Sequence, residues 1–161
     1  GGFAAWQSAG LPVKSGDPGP PRPAPPFVPG PPLERTVDAA TLLAGAVPRL
    51  IDVRAPERFT GASEPIDPVA GHVPGAVNLP FARALGPDQR FRPAAELRDL
   101  YAAALGADPP ESAAVMCGSG VTACHGLFAL ALAGLPGAAL YAGSWSEWIR
   151  DPARPVERGG T

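Results

Sequence analysis

Ala113-Ala114-Val115-Met116-Cys117-Gly118-Ser119-Gly120-Val121-Thr122-Ala123-Cys124-His125 reads as a strand, a tight turn and the start of a helix. The apolar run Ala113 to Met116, bounded by charge on one side and glycine on the other, suits a strand buried on both faces. Thr122 to Gly134 is apolar nearly all round and is expected as a buried helix. Between them, Gly118 and Gly120 let the backbone turn tightly, so that successive N–H groups can face one point. The helix start adds unpaired N–H groups and the positive end of its dipole. A cysteine sulfur at the centre of such a nest is expected as the thiolate, able to carry a second, negatively charged sulfur or oxygen. Cys117 is the candidate nucleophile.

Composition bounds what surrounds that stretch. The chain has 161 residues, 45% hydrophobic and 17% charged, with a formal net charge of -2. This suits one globular domain with its own core. The 13 Lys and Arg are scattered, which argues against nucleic acid or a membrane surface as partner. No apolar run reaches the roughly 18 residues of a membrane span, and Leu127 to Leu135 has the length of a core helix. The two cysteines, Cys117 and Cys124, would sit two helical turns apart, poor geometry for a disulfide. With only two His beside them there is no zinc spacing. No metal or cofactor is expected, and a reducing, cytoplasmic setting fits.

Outward from the centre, helix and strand signals alternate. Asp38 can cap a short helix, Ala39 to Gly45. Leu50 to Val53 is a brief buried strand, with Arg54 to Phe59 expected as the loop beyond it. Ala76 to Leu79 follows a Pro74-Gly75 turn as another strand. Leu97, Leu100, Tyr101 and Ala104 repeat at helical spacing, Ala138 to Tyr141 reads as a last strand and Ser144 to Arg150 as a last helix. Strands separated by helices predict an α/β fold, a parallel sheet with helices on both faces. Function then belongs at the C-terminal strand ends, where Asp52 and Cys117 fall. Residues 14–32 are dense in Pro and Gly and are expected as an extended linker. Residues 1–13 match the end of the chain. Phe3, Trp6 and Pro12-Val13 repeat the pattern of Trp145, Trp148 and Pro155-Val156, either by chance or because 1–13 is the tail of a preceding homologous domain.

The loop Cys117-Gly118-Ser119-Gly120-Val121-Thr122-Ala123-Cys124 resembles the active-site loop of the rhodanese family, closest to the 3-mercaptopyruvate branch of the two-domain sulfurtransferases. Ile51-Asp52-Val53-Arg54, Arg58-Phe59 with Gly61, Glu64-Pro65, Gly71 to Pro80 and Gly143 to Trp148 agree with it. The similarity covers about Val37 to Val156, so that 33–161 is expected as the catalytic rhodanese-like domain. The resemblance implies a sulfurtransferase. Cys117 would take a sulfane sulfur from a small anionic donor, 3-mercaptopyruvate or thiosulfate. It would pass the sulfur as a persulfide to a thiol, thioredoxin or cyanide. The resemblance also implies that Arg58 and the loop residues Gly118, Ser119, Gly120, Val121 and Thr122 bind the donor. In the family Ser119 would help move a proton, with an Asp and a His of a domain that has no counterpart here.

Departures matter as much. Cysteine-dependent phosphatases and arsenate reductases close a similar loop with Arg, where this chain has Ala123. Neutral Gly118 and Ser119 tilt the donor toward mercaptopyruvate, yet Ile66, followed by Asp67, stands where that branch often carries a second Arg. A non-catalytic sulfide-sensing or protein-interaction module on the same fold is the competing reading. Asp52 is expected to pair with Arg54, His72 to hold a turn, and Trp145 and Trp148 to pack the last helix. His125 lies too far along its helix to serve Cys117 as a base, and Cys124 is expected in the core.

Overall fold

The computed structural model describes residues 1–17, 19–20, 25–31 and 34–160. Five parallel strands form one sheet: β1 (Thr36–Val37), β2 (Arg49–Asp52), β3 (Val77–Asn78), β4 (Ala113–Met116) and β5 (Ala139–Tyr141). They lie in the order β1-β5-β4-β2-β3. The central strand β4 is fully buried along all four residues, which explains why its sequence is a continuous apolar run rather than an alternation. Ile51 of β2 pairs with Val115, and Asp52 with Met116, so β2 and β4 end side by side.

Alternation along the strands sorts the core into two layers. Ile51, Val53, Ala113, Val115 and Cys117 pack on one face with helices α4 (Ala94–Leu105) and α5 (Val121–Leu132). Leu50, Ala114 and Met116 pack on the other with α2 (Ala39–Leu43) and α6 (Ser144–Trp148). The expected α/β architecture, helices on both faces of a parallel sheet, is what forms. Asp38 caps α2 by accepting from the Thr41 N–H at 2.8 Å. In α4 the buried residues are Leu97, Tyr101, Ala104 and Leu105, the spacing of one helical face. Burial without a hydrogen-bond partner pushes the Tyr101 phenol up to about 12.

Three expectations need correction. Arg54 to Phe59 is not all loop. Helix α3 (Pro56–Thr60) opens with Pro in its first turn and is closed by the left-handed Gly61, a signature visible in the sequence. Helix α5 is not buried all round: Val121, Phe128 and Leu132 lie on a solvent-facing stripe. Cys124 is on that exposed side and not in the core, because it falls on the same helical stripe, three residues after Val121 and four before Phe128. Strand β1 has no sequence signal, being two residues long and held at the sheet edge by pairing with Leu140 and Tyr141.

The match between the two ends of the chain extends to geometry. Residues Gly2–Ser8 form helix α1, and the Trp6 indole N–H donates to the Pro12 carbonyl at 3.1 Å. The Trp148 indole N–H donates to the Pro155 carbonyl at 2.9 Å in the same way. Trp148 is buried, whereas Phe3 and Trp6 are largely exposed. The expected linker lies partly outside the described residues, and its described part carries neither helix nor strand. Among the described residues no helix is long and apolar enough to cross a membrane.

Candidate active site

Cys117 follows the last residue of β4 and is 3% exposed. The loop after it is shaped by α6, whose first-turn N–H groups lack partners within their own helix. The Trp145 N–H donates to the Cys117 carbonyl at 3.1 Å, and the Ser146 N–H to the Gly118 carbonyl at 2.9 Å. In a trans peptide the N–H opposes the C=O. The next two amides, those of Gly118 and Ser119, therefore point away from α6. Among the described residues no acceptor lies within hydrogen-bond reach of the N–H groups of Gly118, Ser119, Gly120, Val121, Thr122 or Ala123. They make up a set of six free donors along one loop. The Cys117 N–H is excluded from it, because it donates to the Ser144 hydroxyl at 3.1 Å. Ser144 in turn donates to the Tyr141 carbonyl at 2.9 Å and is buried with a positive φ of 53°, a strained position. Sequence reasoning placed Ser144 only at the start of the last helix. Its role in pinning the ends of β4 and β5 together carries no local signature.

Gly120 closes the loop. Its φ is +84°, and a Cβ there would collide with the Ala142 carbonyl oxygen. Gly120→Ala is expected to destabilise the fold by about 2–4 kcal/mol, through left-handed strain plus the clash. A thermal unfolding curve coinciding with that of the unsubstituted chain would show that the loop tolerates the side chain.

Arg58 reaches the loop from α3. Its Nε donates to both oxygens of Glu64, at 2.9 and 3.0 Å, and its Nη2 to Asp67 at 2.9 Å. Nη1 remains, lying 3.3 Å from where a Cβ on Gly118 would stand. Burial works to raise the Glu64 pKa, but hydrogen bonds from Arg58 and from the Asp67 and Ile66 amides hold it below the usual carboxylate range. Asp67 also accepts from the Ser146 hydroxyl at 3.0 Å. The sequence flagged Asp67 only as a departure and missed Ser146, since their contact spans 79 positions.

Behind this rim, Asp52 and Arg54 form the expected pair, bidentate and almost fully buried, with Nη2 also donating to the Gly71 carbonyl at 2.8 Å. The Arg54 guanidinium stacks over Trp145 at 4.6 Å. His72 holds its turn as expected: Nδ1 bonds the Phe59 carbonyl at 2.8 Å and the ring stacks on Phe59. His125 stacks on Phe91, and burial lowers its pKa. Ser119 is exposed, and its hydroxyl has no hydrogen-bond partner among the described residues.

A family model described as the rhodanese-like domain matches residues 36–151. A Pseudomonas aeruginosa protein named "Probable 3-mercaptopyruvate sulfurtransferase" is 51% identical over 99% of this chain and 56% of its own length. The "Thiosulfate sulfurtransferase" of Rattus norvegicus is 36% identical over 99% of this chain and 55% of its own. The chain thus spans about half the length of these relatives. Among solved structures, EanB with a cysteine persulfide in a tetrahedral intermediate state with ergothioneine superimposes at a TM-score of 0.82 and 28% identity. It covers 99% of this chain and 41% of that one. On the match across residues 36–151 and the identity over nearly its whole length, this chain belongs to the rhodanese-like domain family.

Proposed function

We propose that the chain is the sulfur-transferring module of a sulfurtransferase, working through a persulfide on Cys117. One observation carries this reading: a buried cysteine at the end of the central strand opens a loop of six N–H groups without acceptors among the described residues, with the Arg58 Nη1 near it. A persulfide is an anion, and fixed amide donors stabilise it with no reorganisation. With 3-mercaptopyruvate, the Cys117 thiolate forms an S–S bond as the C–S bond breaks. The enolate takes up the proton lost by the transferred sulfur and leaves as pyruvate. With thiosulfate, one S–S bond replaces another and sulfite leaves with the electron pair. An acceptor thiolate or cyanide then attacks the outer sulfur and restores the Cys117 thiolate. Both cysteines are free, in keeping with a reducing, cytoplasmic setting. The shared Trp-to-Pro hydrogen bond supports reading residues 1–13 as a second copy of the terminal motif, the tail of a preceding domain of the same kind.

The test is intact-mass spectrometry after incubation with each donor. A cyanide-reversible gain of one sulfur, mapped to Cys117, is expected. No gain from either donor by folded, reduced protein would overturn the proposal in favour of a binding module. Arg58→Ala is expected to raise the donor KM by about 10- to 100-fold, the worth of a charge-assisted hydrogen bond, with a smaller fall in kcat. An unchanged KM in steady-state kinetics would remove Arg58 from donor binding.

A further inference from the structure

We infer that Asp67 sets donor specificity by charge, favouring singly charged sulfur donors over doubly charged ones; this rests on the sulfur-transfer reading above. Arg58 looks like an anion receptor, yet two carboxylates already engage it, Glu64 at Nε and Asp67 at Nη2. Both carboxylates are poorly hydrated, with side chains 2% and 10% exposed. Across the whole cluster, Arg54 and Arg58 face Asp52, Glu64 and Asp67. The side chains beside the loop therefore supply no net positive charge. What is left for a donor is neutral or singly charged: the Nη1 group at Gly118 and the loop amides.

Asp67 is the member of this set tied to the loop. Its Oδ1 accepts from the Ser146 hydroxyl at 3.0 Å, and the Ser146 N–H donates to the Gly118 carbonyl at 2.9 Å. The run of hydrogen bonds from Gly118 through Ser146 and Asp67 to Arg58 fixes a negative charge beside the loop, with the Arg58 Nη1 3.3 Å from where a Cβ on Gly118 would stand. A monocarboxylate donor such as 3-mercaptopyruvate brings a single charge to the Arg58 Nη1 and the loop amides. Thiosulfate brings a second charge, which no side chain beside the loop balances and Asp67 repels. The resulting discrimination is of order tenfold, the effect of one additional unit charge in a medium between water and protein interior.

The experiment compares kcat/KM for 3-mercaptopyruvate and for thiosulfate, with cyanide as acceptor. Asp67→Asn and Asp67→Ser both remove the charge. Each is expected to lower the mercaptopyruvate-to-thiosulfate ratio about tenfold, through a gain with thiosulfate. Ser146→Ala cuts the tie to Asp67 without changing charge, and is expected to raise both KM values together and leave the ratio unchanged. In the unsubstituted chain, sulfate is expected to inhibit no more strongly than acetate despite its double charge, a measurement independent of how the variants fold. The inference is overturned by an unchanged ratio in folded Asp67 variants, by an equal ratio shift in Ser146→Ala, or by strong preference for sulfate. Absence of transfer from both donors overturns the sulfur-transfer reading itself.

Discussion

Cys117→Ser is expected to carry no added sulfur after incubation with either donor, and to transfer sulfur at least about 10^4-fold more slowly than the unsubstituted chain. The substitution is nearly isosteric, so the loop and its free amides persist while the atom that accepts sulfur is gone. A serine hydroxyl is a poor nucleophile here, and among the described residues no base hydrogen-bonds to the side chain of position 117, while the Cys117 N–H is held by Ser144. Cys124 serves as an internal control. It lies on the exposed side of α5 with its thiol donating to the Gly120 carbonyl at 3.5 Å, outside the set of free donors. Peptide mapping that finds the sulfur on Cys124, or retained transfer by Cys117→Ser, would refute the assignment.

Arg54→Met is expected to cost about 3–5 kcal/mol of stability, because removing one partner leaves Asp52 charged and buried. For a chain of this size that lowers the unfolding temperature by about 10 °C. Methionine keeps most of the packing against Trp145, so what is lost is the guanidinium with its contacts to Asp52, Glu64 and the Gly71 carbonyl. The pH dependence gives a second readout. Burial pushes the Asp52 carboxyl above its usual pKa, and the hydrogen bonds and charge of Arg54 oppose that push. Without Arg54 the folded-state pKa rises further above the unfolded value. A carboxyl with a raised folded pKa favours the fold at low pH, and that contribution disappears as pH rises through the folded pKa. The deficit of Arg54→Met should therefore be smaller at pH 5 than at pH 7.5. A thermal-melt difference that is small, or independent of pH, would mean that the Asp52–Arg54 pair contributes little to stability.

Arg58 shows where legibility stopped. Its choice as a donor-binding residue came from the resemblance, and the Pro56 and Gly61 that bound α3 were available to be read. Its engagement by Glu64 and Asp67 was not legible, because a carboxylate near an arginine in sequence can as well face water. Ser146 was further from reach, since nothing in a Ser-Trp-Ser-Glu-Trp motif says which carboxylate it meets. The exposure of Cys124 and of the Val121–Phe128–Leu132 stripe was hidden for a different reason. In a helix apolar all round, periodicity cannot say which side the sheet covers.

The sequence by itself determined the local chemistry: a buried strand, a cysteine, two glycines and a helix start, in an order that leaves a run of loop amides beside the cysteine. It also determined the alternation of strands and helices, hence a parallel sheet covered on both faces. Tertiary structure alone decided which donors in that run stay free, since α6 takes the loop carbonyls and Ser144 takes the Cys117 N–H. It alone decided the charge at the rim, because Asp67 and Ser146 meet across 79 residues. Hydrogen bonds within a turn are fixed by neighbouring residues, whereas electrostatic balance depends on which distant groups folding brings within a few ångströms.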